Sequence, residues 1–174
     1  MDPTTRDLLR HFLAALAYRT QKALRDAPES FARFQAGQGV RTPQDLLRHM
    51  TSVLGYARTF IIGGSYTAEL LPDMQSEIAR FHEMLEDLGT RLASGATFTG
   101  TTPQSILQGP FSDAMTHAGQ LALLRRLAGS PVPPENFVKA DIRAGNLSAE
   151  QASPASFGQR DGKWDPRGGV AGRD

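Results

Sequence analysis

Leu71, Met74, Ile78, Phe81, Leu85, Leu88 and Leu92 alternate steps of three and four along the chain. That spacing lays one continuous apolar seam along a helix, and such a seam must be covered by other helices. A half-buried strand would instead alternate every second residue, and no stretch of the chain sustains that alternation with β-branched residues. The seam opens after Pro72 and ends near Ser94-Gly95. Three more segments share its periodicity. The first, about 4–26, places Leu9, Phe12, Leu13, Leu16, Ala23 and Leu24 on one face. The second begins at Thr42-Pro43, where Thr is a natural N-cap, Pro suits the first helical position and Asp45 completes a capping-box-like arrangement; it runs to Ile62 and stops at Gly63-Gly64. The fourth begins near Thr102-Pro103, is interrupted at Gly109-Pro110, where proline must kink or restart the helix, and continues to Ala128.

Four long helices predict an all-α four-helix bundle over residues 1–145, followed by an irregular C-terminal extension over 146–174. The 27–41 connection, with Phe31 and Phe34, is expected to carry a short helix or to pack across the bundle. The Gly/Thr-rich stretch 95–102 is expected to cross one end. Residues 151–174 are rich in Gly, Pro and charge, a composition that favours partial disorder, with Trp164 a candidate to dock on the bundle or on a partner.

Composition narrows the function. A net charge of +1 over 174 residues leaves no clustered basic face, so no nucleic-acid partner is expected. No apolar run approaches the roughly 20 residues of a membrane-spanning helix, so no membrane partner is expected either. The N-terminus MDPTTRDLL lacks a basic region followed by an apolar core, which points to the cytoplasm. The chain has no cysteine. Disulfides, thiolate ligands and a cysteine nucleophile are thereby excluded, and a metal must be held by His, Asp, Glu or water. Phosphate-cradling Gly-rich loops, H-E-x-x-H and G-x-S-x-G are all missing, and so is the Glu-x-x-His of ferritin-like di-iron bundles.

The four histidines divide into two pairs. His49 shares a helical stripe with Leu46, Val53, Tyr56 and Phe60, which predicts that it faces the core, with Tyr56 buried beside it. Asp113 and His117 stand at i and i+4, on one side of one helix with Cβ atoms about 5–6 Å apart, and their face continues inward through Gln120 and Leu124. This spacing serves a shared metal ion and a simple Asp–His hydrogen bond equally well. An inward His49 and an inward Asp113/His117 pair can converge in the bundle as two imidazoles and a carboxylate, leaving positions for water or substrate. His11 and His82 lie off the seams and read as partly exposed surface histidines. Arg125-Arg126 are expected to cap the negative end of the fourth helix, and Met50 and Met115 to be packing residues.

The stretch "TPQDLLRHMTSVLGYARTF", followed about sixty residues later by "LQGPFSDAMTHAGQLALLRRLAG", resembles the DinB-like superfamily of bacterial damage-inducible proteins over roughly residues 4–145. The resemblance implies a four-helix bundle, a homodimer and a divalent metal (Zn, Ni, Fe or Mn) held by three histidines. His49 and His117 match two of those ligands, the latter opening the H-x-G-Q sequence His117-Ala118-Gly119-Gln120. The third matching position holds Asp113 where the family usually has histidine, which implies a two-His, one-carboxylate set. Relatives that transfer low-molecular-weight thiols imply a thiol cosubstrate and an electrophilic small molecule, with the metal lowering the pKa of the thiol. Two other functions use the same residues: a dimeric stress-associated binding protein with a structural polar triad, and a hydrolase acting through metal-activated water.

Overall fold

The computed structural model describes residues 1–154 and, beyond them, the backbone of two short strands. Helix α1 spans Pro3–Leu24, α2 Pro43–Ile62 and α3 Met74–Ala93. A fourth rod comprises α4 (Pro103–Ile106), a π turn (Leu107–Phe111) and α5 (Ser112–Leu127). The strands β1 (Trp164–Asp165) and β2 (Gly169–Val170) pair antiparallel. Arg25 donates to the carbonyls of Gln151 and Ala152, so the tail's first residues are tied to α1; the expected disorder beyond residue 154 and the docking of Trp164 lie outside the described residues.

Local chemistry sets the helix starts. Thr42 accepts a hydrogen bond from the Asp45 amide at 3.1 Å while its hydroxyl donates to Asp45 Oδ2 at 2.7 Å. Asp2, Asp73 and Thr102 accept from the amides of Thr5, Ser76 and Ser105 in the same way. Each cap satisfies one of the amides that a helix start leaves unpaired. Helix α2 ends at Gly63, whose φ of 79° is the left-handed conformation that favours glycine.

Helix α1 packs on α3 and α5, and α2 packs on the same two. Going round the bundle, the order is therefore α1, α3, α2, α5, with α1 and α2 on a diagonal. The α1–α2 connection must then cross the bundle. It does so through a 3-10 turn at Glu29–Arg33 that buries Phe31 in the core. Leu13, Leu16, Leu47, Leu54, Phe81, Leu85, Leu88, Phe111 and Leu121 are fully enclosed at the centre. Of the seam, Ile78 through Leu92 is buried, Met74 packs against the core's edge, and Leu71 precedes the helix.

Three burial expectations are corrected. On α2 the core face runs through Leu47, Met50, Leu54 and Ala57, about a third of a turn away from the Leu46–His49–Val53–Tyr56–Phe60 stripe. Tyr56 is exposed, and His49 sits on the flank toward α5 with 31% of its side chain accessible. His82 is buried, because Leu147 of the C-terminal segment covers it: Nδ1–H donates to the Leu147 carbonyl at 2.7 Å, and Nε2 lies 3.4 Å from Gln21. Arg125 does more than close its own helix. It donates to the carbonyls of Ala23 and Arg25 at the end of α1 as well as to Ser130, tying two helix ends together. Among the described residues, no helix is long and apolar enough to cross a membrane.

Candidate metal centre

The flank where α2 meets α5 brings His49, Asp113 and His117 together. One ligand atom from each lies within 4.8 Å of the others. His117 Nε2 stands 3.3 Å from Asp113 Oδ1, and His49 Nε2 stands 4.0 Å from Asp113 Oδ2. The two imidazole rings meet edge to face, 4.8 Å between centroids. Bonds of about 2.0–2.1 Å in a tetrahedral site set ligand atoms about 3.4 Å apart. The His117–Asp113 spacing already has that value, and the others need to close by less than about 1.5 Å, which is within reach of side-chain rotation.

The π turn prepares this flank. Pro110 has no amide to give to Ile106, so the ladder widens: the Ser112 amide reaches back to Leu107, and Ser112 Oγ donates to the same carbonyl at 2.6 Å. The helix continues without a break, since Ile106, Leu107, Phe111 and Ser112 all keep right-handed helical angles. Asp113 and His117 follow directly, in the position where such bulges recur near functional sites. The sequence signalled the proline but not that the helix would absorb it.

Gln120 fixes His117. Its Oε1 accepts from Nδ1–H at 2.8 Å, which fixes the ring with Nε2 turned toward Asp113. Nε2 and Asp113 Oδ1 face each other at 3.3 Å, a spacing that a cation or a proton between them satisfies. His49 is held in its neutral form. Partial burial, the Arg41 charge and the neighbouring His117 together push its pKa below the ordinary imidazole value, only partly countered by Asp113. Neutral imidazoles are the ligating form. Exposure is graded: His117 is buried, His49 half-buried and Asp113 exposed, so the expected inward Asp113 is corrected to a carboxylate at the mouth. Solvent therefore reaches the group from the carboxylate side. The remaining histidines take no part: His11 is exposed on α1, as expected, and His82 is spent on Leu147. Arg41 is the neighbour that spacing did not reveal; it lies in the loop before α2, with nothing local to link it to the site.

No protein-family model, curated protein or solved structure matches the chain.

Proposed function

We propose that the chain is a DinB-like metal protein in which His49, Asp113 and His117 hold one divalent ion, and that it acts as a metal-dependent thiol S-transferase. The observation that carries the metal reading is the convergence of three ligand atoms from two helices, with Gln120 orienting one of the rings. Two imidazoles and a carboxylate suit Zn, Ni, Fe or Mn and leave coordination positions free on the solvent side. A bound ion supplies Lewis acidity that lowers the pKa of a thiol or water beside it. The protein's part is to hold two imidazoles and one carboxylate on a fixed scaffold, to favour the unprotonated form of His49, and to leave the Asp113 side open to a cosubstrate.

The thiol is supplied from outside, because the chain has none. An electrophilic small molecule is the second substrate and a homodimer the working form, both following the DinB-like resemblance. The test is a conjugation screen with glutathione and bacillithiol against a panel of electrophiles, using metal-loaded wild type and His117→Ala. Turnover in wild type and none in the variant supports the transferase. Hydrolysis of an activated ester without any thiol would favour water as nucleophile. Metal binding with no turnover of either kind would leave a binding protein.

A further inference from the structure

On the opposite side of α5 lies an open cavity of about 450 Å³, lined by α1, α5 and the segment 132–137. This volume is within the range of small-molecule sites. Its floor is apolar and small: Ala118 and Ala122 of α5 face Ala23 of α1. Its charged groups are Arg19, Lys22, Arg126 and Glu135. The Lys22 ammonium meets the fully buried Glu135 carboxylate at 2.9 Å. Two guanidinium groups remain. The Arg19 guanidinium carbon sits over the Phe137 ring, 3.8 Å from its centroid, a cation–π contact that positions the group at the cavity. Arg126 is exposed, and among the described residues neither arginine makes an ion pair.

A cavity with an apolar floor and two guanidinium groups at its edge, neither of them ion-paired among the described residues, has the chemistry of a receptor for an organic anion. We propose that this cavity binds a small carboxylate with an apolar body, the body resting on Ala118 and Ala122 and the carboxylate held by Arg19 and Arg126. Planar guanidinium donors match a carboxylate in pairs. The site is independent of the metal reading. Ala118 and Gly119, which the metal group does not use, line this cavity.

The experiment is a titration of the chelator-treated, full-length protein with 3-phenylpropionate, followed by amide chemical shifts, with 3-phenylpropionamide as the neutral control. The carboxylate is expected to saturate and to move the amides of Ala118, Gly119 and Ala122. The amide should bind at least about tenfold more weakly, and Arg126→Gln and Arg19→Gln should each weaken the carboxylate about tenfold. Arg126 is exposed, so its variant tests charge without disturbing the fold. Equal binding of acid and amide, unchanged binding in both variants, or no saturable shift at these amides in the millimolar range would overturn the proposal. Because no metal is present, the result is separate from that of the metal assay.

Discussion

His117 can offer a lone pair only from the ring nitrogen that carries no proton, and Gln120 decides which one that is. Removing the ligand and removing its orienter should therefore differ in degree. His117→Ala is expected to weaken metal binding by more than about 100-fold, and Gln120→Ala by about 10–100-fold, both read by competition against a chromogenic chelator. Equal effects would mean that Gln120 is itself a ligand, and no effect of Gln120→Ala would remove its orienting role. The pH dependence has a definite sign. His49 must be unprotonated to bind, so affinity is expected to fall once pH drops through its pKa, by up to about tenfold per pH unit. The depressed pKa of His49 places that fall at lower pH than an ordinary imidazole would. The i, i+4 pair and its partner on the second helix were legible in the sequence, because a helix puts such residues side by side whatever surrounds them. The exposure of Asp113 was not, since it depends on how far α2 and α5 overlap.

At the scale of elements, helix starts could be read because caps are local: Thr42 and Asp45 find each other three residues apart. Which face of α2 turns inward could not be read, because that helix carries two apolar stripes and only packing against α3 and α5 chooses between them. Nor could the burial of His82, whose cover arrives 65 residues later in the chain. The loop after α2 shows the same dependence on distant parts. Tyr66 lies so close over Gly55 that a Cβ there would come within 1.9 Å of its ring, and Ser52 Oγ accepts from the Ala68 amide nearby. Alanine in mid-helix is ordinarily worth about 1 kcal/mol over glycine. Here the ring and the loop that carries it must move, and overpacking of this kind costs about 1–3 kcal/mol. Gly55→Ala is accordingly expected to lower the unfolding midpoint in urea; a rise would show that Tyr66 is free to swing away.

For the molecule as a whole, His82 joins α3 to the C-terminal segment through Leu147, and burial lowers its pKa more than the hydrogen bond to that carbonyl raises it. The unfolded chain then holds more protons than the folded one between the folded value and about 6.5. Stability from this group is complete above about pH 6.5 and is lost as pH falls through the folded pKa. Urea unfolding between pH 5 and 8 should show that decline, and His82→Gln, which can still donate to the carbonyl but cannot titrate, should flatten it. An unchanged pH profile would mean that His82 titrates alike in both states. The four helices and their seams thus set the scaffold, and the α2–α5 flank is proposed to hold an ion between His49, Asp113 and His117. The most direct test of that claim is metal analysis of tag-free protein after incubation with Zn, Ni, Mn and Fe followed by desalting. The account predicts one ion per chain in the wild type and none in His117→Ala. Wild-type protein that emerges free of all four metals, or a variant that retains as much as the wild type, would contradict it.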